Sequence, residues 1–219
     1  MAQATRSSST AHISDDPMEN VAHWLQANAK PIVYAVGAAA VVAAAVFVYR
    51  STAETKREKA SAALYEAQAP FAQGKLDDAQ KALEKVTDRY ASTSSGQQAA
   101  ILLAQVHYEQ KKYDEGIKVL EKALGSSTTE FKASMEALIA GGYEMKGDMA
   151  KAAEHYGKAM AATPFRAEKH AYEASQARSL MAAGKNDEAK ALWESLAQLD
   201  GEPVQQEANI RLGELAAKK

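Results

Sequence analysis

Small residues recur along this chain at fixed separations. Four pairs of them each span 12 positions, and the second members of the pairs follow one another at steps of 37, 36 and 37 residues. Because only a small side chain lets two helix backbones approach closely, the pattern predicts four hairpins, each with its two helices crossing at one pair. The pairs are Ala67 with Ala79, Ala104 with Gly116, Ala140 with Ala152, and Ala177 with Ala189.

Larger apolar residues keep the same register. Four positions after each second small residue stand Leu83, Leu120, Tyr156 and Trp193, and seven positions after it stand Val86, Ala123, Ala159 and Leu196. Offsets of four and seven lie on one helical stripe. A plain alanine-rich bundle is the alternative, but its small residues would have no common spacing. The sequence therefore predicts an all-α solenoid of about four helix hairpins.

A last helix is predicted after the fourth hairpin. It follows Pro203 and continues the apolar stripe through Ile210, Leu212, Gly213 and Leu215. We interpret it as a capping helix that covers the apolar face of the final repeat.

The turns inside the hairpins also repeat. Gly74, Gly147 and Gly184 are predicted to close one helix, and Asp or Asn residues shortly after them to begin the next. These turns, the small-residue pairs, and Tyr143, Tyr156, Ala159 and Pro164 of the third repeat make residues 58 to 202 resemble the tetratricopeptide repeat. The period here is longer than the usual length of about 34 residues. The resemblance implies a helical superhelix that binds other proteins.

In tetratricopeptide arrays the first helix of each pair lines a groove. On this chain the corresponding positions are Leu64, Gln68, Phe71, Gln98, Ile101, Gln105, Tyr108, Glu144, Arg178 and Met181. Amides mixed with aromatic and aliphatic side chains suit an extended or partly unfolded peptide. The alternative is that several of these side chains only pack against neighbouring helices.

Residues 31 to 49 form an uncharged, apolar run between Lys30 and Arg50. As a helix this run would be about 28 Å long, close to the hydrocarbon thickness of a bilayer. Tyr34 and Tyr49 stand near its two ends, where a ring can be half buried at the membrane interface. The sequence predicts a single transmembrane helix here. A cleaved signal peptide and a buried helix of a soluble protein are the alternatives.

The segments on either side of this run differ in character. Residues 1 to 15 are rich in Ser, Thr and Ala and are predicted to be disordered. Residues 16 to 30 are predicted to form an amphipathic juxtamembrane helix, with an unstructured leader as the alternative. Residues 50 to 219 are assigned to the repeat domain, and the absence of Gly from 50 to 73 suggests that the membrane helix runs into the first repeat.

Composition and motifs exclude several functions. A formal net charge of -2 and the lack of a basic stripe argue against nucleic acid as a partner. The five histidines show no metal-ligand spacing, and no phosphate-binding loop is present. His107 falls at a packing position, so we interpret it as a core or groove histidine. We expect no catalytic activity, no cofactor, no metal and no small-molecule substrate.

The whole arrangement resembles the YfgM-like family, ancillary subunits of the bacterial Sec translocon. The shared features are the acidic amphipathic leader, the alanine- and valine-rich span ending in Tyr49-Arg50, and a repeat array of similar size. The resemblance implies an inner-membrane protein with a cytoplasmic N-terminus and a periplasmic repeat domain. Its implied partners are the translocon, periplasmic chaperones and exported chains.

Charge around the span gives the opposite orientation. More Lys and Arg residues flank its C-terminal end than its N-terminal end, which by the positive-inside rule would keep the repeats in the cytoplasm. Because Glu54 and Glu58 are placed to pair with some of those cations, we favour the orientation implied by the family. The leading hypothesis is a membrane-anchored adaptor for protein partners. The alternative is an accessory or assembly subunit of another membrane complex.

Overall fold

A computed structural model describes residues 17–217 of the chain. Within this range the chain is all-helical, without strands, and it forms ten α-helices. Their bounds are α1 Pro17–Ala27, α2 Ala29–Ala72, α3 Leu76–Tyr90, α4 Ser94–Glu109, α5 Tyr113–Leu124, α6 Thr129–Lys146, α7 Met149–Ala162, α8 Arg166–Ala182, α9 Asn186–Ala197 and α10 Pro203–Ala217. The expected disordered tail at 1–15 and Asp16, the first residue of the predicted juxtamembrane helix, lie outside the described residues.

The chain divides into two compact units, and the second begins at Glu54. In the first unit, α1 exposes the apolar side chains of Met18, Val21, Trp24 and Leu25. The first half of α2 contains an 18-residue stretch with a mean hydropathy of 2.3, none of which is buried. Among the helices of residues 17–217, α2 is the one long and apolar enough to cross a membrane.

The second unit is a stack of helix hairpins. The end of α2 packs with α3, and the pairs α4/α5, α6/α7 and α8/α9 follow, each helix contacting the next along the chain. In addition, α4 contacts α6 and α8 contacts α10. This is the contact pattern of a solenoid, in which each repeat touches its neighbours. The predicted all-α solenoid with an apolar N-terminal helix is confirmed.

The core of the second unit forms successive clusters along the stack. The first joins Leu64 of α2 to Leu83 of α3 and Leu103 of α4. The second is built around Leu120, Met135 and Ile139. The third surrounds Trp193 and extends to Leu215 of α10. Each cluster is shared by three or more helices, so a single hairpin could not bury its own apolar face.

The alanines of the small-residue pairs lie in the contacts between helices. Each of them is at most 2% exposed, so none contributes surface for a partner. In the last two pairs, the second members Ala152 of α7 and Ala189 of α9 are fully buried. These positions therefore serve helix packing and belong to no binding surface. The other five alanines are Ala67, Ala79, Ala104, Ala140 and Ala177.

Gly116, the remaining member of the pairs, has no room for a side chain. An added Cβ would lie 2.4 Å from the Tyr108 ring and 3.0 Å from the backbone oxygen of Ala104. The close approach of α4 and α5 therefore requires glycine or a shift of Tyr108.

The turns use left-handed residues, but acidic caps are rarer than the sequence suggested. Gly74, Gly147 and Gly184 have φ of 71°, 83° and 75°, and Lys111 with φ 60° takes this role in the second hairpin. Only Asp148, among the helix starts that follow these four turns, accepts a capping hydrogen bond, from the backbone nitrogen of Lys151. The other acidic residues lie in the first turn, where negative charge complements the helix dipole.

The last helix packs differently from the expected stripe. Ala208 and Leu215 are buried, and Leu212 packs against the cluster to which they belong, but Ile210 is 56% exposed. The predicted inward position of Ile210 is wrong, because Ala208 supplies the contact residue in the second turn of α10. Alanine is only weakly apolar, so the sequence pattern did not indicate Ala208 as part of the stripe.

Candidate partner-binding surface

The predicted groove residues at the end of α2 divide between core and surface. Leu64 is buried in the first cluster, and Phe71 packs against that cluster while remaining partly accessible. Gln68, one turn after Leu64, is exposed. A partner at this end of the stack would therefore meet an amide beside a half-buried aromatic ring.

On α4 the predicted residues follow one helical face. Gln98 is exposed, Ile101 and Gln105 are half-buried, and Tyr108 is 8% exposed. The Tyr108 hydroxyl donates a hydrogen bond to the backbone oxygen of Leu138 at 3.1 Å. Burial raises the pKa of this phenol, so it stays protonated. Tyr108 therefore joins α4 to α6 as a core residue, and Gln98, Ile101 and Gln105 are the accessible part of this face.

Glu144 of α6 joins three helices. Its carboxylate accepts hydrogen bonds from the hydroxyl of Tyr156 on α7 at 3.1 Å and from the hydroxyl of Ser179 on α8 at 2.9 Å. Burial and the adjacent carboxylate raise the pKa of Tyr156 to about 12. The sequence placed Glu144 in the groove but gave no sign of these two partners, which come from other helices.

The last two predicted residues contact the C-terminal helices. The Arg178 guanidinium lies 2.9 Å from both carboxylate oxygens of Glu207 on α10, while remaining exposed on its other side. The Met181 sulfur accepts a hydrogen bond from the indole nitrogen of Trp193 at 3.2 Å. The structure therefore places Arg178 and Met181 in contacts that fix α10 and α9 against α8.

The accessible members of the predicted groove are more polar than the whole set. Gln68, Gln98 and Arg178 are exposed, whereas Leu64 and Tyr108 are buried in different clusters. The remaining five are half-buried and present only part of their side chains to solvent. Over residues 17–217, no group of three or more His, Asp or Glu side chains is arranged to hold a metal ion.

Comparisons with known proteins point to one repeat class. Residues 40–123 match the family profile of the anaphase-promoting complex (cyclosome) subunit 3, and residues 175–219 match a tetratricopeptide repeat profile. Among curated proteins, no sequence matches this chain.

Solved structures share the fold at low sequence identity. A candidate kinesin light chain from Podosopora anserina with nearly identical TPR-like repeats has a TM-score of 0.57 at 20% identity, covering 74% of this chain and 87% of that one. A tetratricopeptide repeat protein from Parabacteroides merdae has a TM-score of 0.59 at 13% identity, with coverage of 74% and 61%. MamA has a TM-score of 0.52 at 18% identity, with coverage of 78% and 88%. These likenesses concern the fold.

Proposed function

We propose that this tetratricopeptide-type repeat protein is a single-pass membrane adaptor that binds polypeptides at the bacterial cell envelope. Such repeats are protein-interaction scaffolds, typically without catalytic activity. The observation that carries the proposal is the contrast inside α2. Its apolar half is exposed along its length, whereas its end packs in the core of the repeat unit.

The membrane anchor is supported by what surrounds residues 31–49. A helix buried in a soluble protein would contact other helices on several sides, and here none of the apolar window is buried. The apolar side chains of Val41, Val42 and Phe47 are 70%, 62% and 73% exposed. Lipid is the environment that would remove this surface from water.

The binding of protein partners is assigned to the face of the first helices. Gln98, Gln105 and Gln68 offer amide donors and acceptors for the backbone of an extended chain. Phe71, Ile101 and Met181 lie half-buried and can accept apolar side chains without strong selectivity. This mixture suits many polypeptides rather than one short motif.

Photo-crosslinking tests this assignment directly. A benzoylphenylalanine at Gln98 should capture polypeptides in living cells, because the side chain is exposed on the proposed groove. The matched control replaces Lys190 on α9, a second helix, where the side chain is also exposed. Equal capture from both positions would refute the groove as the binding surface.

The finer role follows the YfgM-like resemblance. It would place the repeats in the periplasm beside the translocon, where they would receive newly exported chains together with periplasmic chaperones. Orientation can be tested with a single thiol, since the chain contains no cysteine. Cysteine at the exposed position Ser92 should react with a membrane-impermeant maleimide once the outer membrane is permeabilised. Protection until the inner membrane is lysed would contradict a periplasmic repeat domain.

A fixed subunit of another membrane complex is the second candidate. Gly37 has free space around it, and Ala38–Ala40 and Ala43–Ala45 are small and exposed, so another membrane helix could approach closely. Crosslinking followed by purification in mild detergent separates the two. An adaptor should return many exported polypeptides at low occupancy, whereas a subunit should return one complex at a fixed ratio.

A further inference from the structure

A cavity of about 310 Å³ lies between α3 and α5, with α4 as its base. Its inner surface is apolar and is formed by Ala100, Leu103, Val119 and Ala123. The volume is close to the lower limit of ordinary ligand pockets, which begins at about 300 Å³. It can therefore enclose one large side chain but not a folded segment.

One residue of the cavity wall carries a buried polar atom without a partner. His107 lines the cavity and is 6% exposed, and its Nδ1 makes no hydrogen bond within the described chain. Burial lowers the pKa of His107, and Lys112 acts in the same direction, against the opposing effect of Glu115 and Glu84. The imidazole is therefore neutral near pH 7, with one nitrogen donating and the other accepting. Buried polar atoms are seldom left unpaired, so an unsatisfied imidazole in the cavity wall favours a ligand with a polar group.

The walls of the cavity are held in place without a ligand. Gln97, which is 1% exposed, donates a hydrogen bond to the backbone oxygen of Ser126 at 3.2 Å, and its side-chain oxygen accepts one from the Thr128 nitrogen at 3.2 Å. At the other side, Gly96 lets the start of α4 touch the end of α3, because an added Cβ would lie 1.9 Å from the backbone oxygen of Tyr90. The cavity is preformed by contacts of its own walls.

The mouth of the cavity is acidic. It carries the carboxylates of Glu84 and Asp88 and one ammonium group, that of Lys122. The Lys122 Nζ lies 3.1 Å from Oδ1 of Asp88, so these two charges form an ion pair. Glu84 accepts a hydrogen bond from the Gln80 amide at 2.8 Å but forms no ion pair among the described residues. The negative charge of Glu84 is thus available to a cationic group of a ligand in the cavity.

We propose that this cavity binds a tyrosine side chain of a partner polypeptide, next to a lysine or arginine of the same partner. The ring would cover the apolar base, and the hydroxyl would hydrogen-bond to His107. A phenol both donates and accepts, so it can pair with the imidazole in either of its tautomers. The adjacent cation would lie beside Glu84.

This site is separate from the proposed groove and does not depend on it. The α4 residues that line the cavity include Gln97 and Ala100, one position before Gln98 and Ile101 of the groove face. One position corresponds to about 100° around a helix, so the two faces of α4 can be changed independently. Loss of one binding activity with the other retained would show which proposal fails.

The test uses the full chain in lipid nanodiscs, with methyl groups of Leu and Val labelled for NMR. Acetyl-Lys-Tyr-Lys-amide is titrated, and acetyl-Lys-Phe-Lys-amide is the control that lacks only the hydroxyl. The Tyr peptide should shift the Leu103 and Val119 methyl signals in a saturable way. The Phe peptide should bind about fivefold more weakly, as expected for one lost hydrogen bond.

Variants then separate the contributions of His107, of the cavity volume and of Glu84 to peptide binding. The fold of each variant is checked by circular dichroism. His107→Phe should bind both peptides equally, because the polar atom that distinguishes them is gone. Ala123→Leu should abolish binding of both by filling the cavity, and Lys190→Ala, on the exposed surface of α9, should change neither. If His107→Phe does not fold, Glu84→Gln on the surface should still weaken binding and reduce its salt dependence.

Several results would overturn the proposal. Methyl shifts at Ile101 in place of Leu103 and Val119, observed with Ile labelling, would place the peptides in the groove. Equal binding of the Tyr and Phe peptides to the unaltered chain would remove the role of His107. Binding of free p-cresol without binding of the Tyr peptide would show that the occupant is not a polypeptide side chain.

Discussion

Alanines 38–40 and 43–45 in the apolar half of α2 are all exposed, whereas the crossing alanines of the repeats, such as Ala104 and Ala140, are fully buried. Both regions are helical and alanine-rich. They differ in the pattern around the alanines: the repeats place one small residue at each crossing among charged and polar neighbours, and the span has apolar residues on every side. Periodic alanine indicates a protein contact, and continuous apolar sequence indicates a lipid contact.

The two tryptophans make the same contrast. Trp193 is fully buried among helices α8, α9 and α10, and Trp24 on α1 is 60% exposed. In the repeat unit, large apolar side chains stabilise the fold because they are removed from water when they pack inside the protein. In the first unit, the same kind of side chain is available for another environment.

Two charges in the span should remove the protein from the membrane. Eight Val, Ile and Phe residues at 31–49 contribute on the order of 2.5 to 5 kcal/mol toward insertion, and each central lysine costs about 2.5 to 3.5 kcal/mol. Val42→Lys with Val46→Lys should therefore shift most of the chain to the soluble fraction on carbonate extraction. The control, Ala150→Lys with Ala171→Lys on exposed repeat positions, should leave it in the membrane. Retention of the double-lysine variant in the membrane fraction would contradict the anchor.

Truncating the buried tryptophan should destabilise the repeats far more than truncating the exposed one. Trp193→Ala should lower the free energy of unfolding by about 3 to 5 kcal/mol, through a cavity and a lost contact with Met181. Trp24→Ala should leave the unfolding transition unchanged, because its ring packs in no core cluster. Urea denaturation followed by circular dichroism measures both. A similar loss for the two variants would mean that α1 packs against the repeats.

One alanine-to-leucine change should have opposite consequences in the two regions. Ala140→Leu introduces a larger side chain at a fully buried position and should cost about 1 to 3 kcal/mol of stability. Ala40→Leu should leave the repeats unaffected and make the span slightly more apolar. Thermal unfolding in detergent compares the pair, with Ala182→Leu on an exposed part of α8 as a further control. If Ala140→Leu is as stable as the unaltered protein, Ala140 does not lie in a tight helix contact.

The smallest expected effect is on the stability of the protein at acidic pH. Burial holds the pKa of His107 below its ordinary value of 6.5, so the unfolded chain binds more protons than the folded one just below that pH. This contribution to stability is complete above pH 6.5 and is lost as the pH falls toward the lowered pKa. His107→Phe should therefore lose less thermal stability between pH 7 and pH 5 than the unaltered chain. Parallel losses would show that His107 is not protonated on unfolding.

The solenoid could be predicted because its controlling residues follow from local geometry. A helix crossing demands a small residue, and Ala67, Ala79 and their counterparts through Ala152 and Ala189 recur at the spacing of the helices. The three glycine turns were recognisable for a similar reason, since a left-handed residue is needed there. The left-handed conformation of Lys111 was harder to predict, because lysine, unlike glycine, does not favour a positive φ.

The surface was harder to predict because it depends on which helices become neighbours. Tyr108 lies on the groove face of α4, yet Gly142 on α6 leaves room for its ring, so the side chain turns into the core. Arg178 forms a hydrogen bond with Glu207, which lies 29 positions further along the chain. The cavity at His107 is formed between α3 and α5, which belong to different hairpins. No local sequence pattern indicates the space between these two helices. The proposed binding residues therefore remain predictions for experiment.

Single-cysteine spin labels at each position from Val33 to Val48, in a chain without native cysteine, would show whether this part of α2 lies in lipid. In bilayers, power saturation should show high oxygen accessibility and low accessibility to a water-soluble nickel complex at the central positions. A label at exposed Ala150 should show the reverse. If the central span positions were as accessible to nickel as Ala150, the apolar half of α2 would face water and the membrane anchor would be refuted.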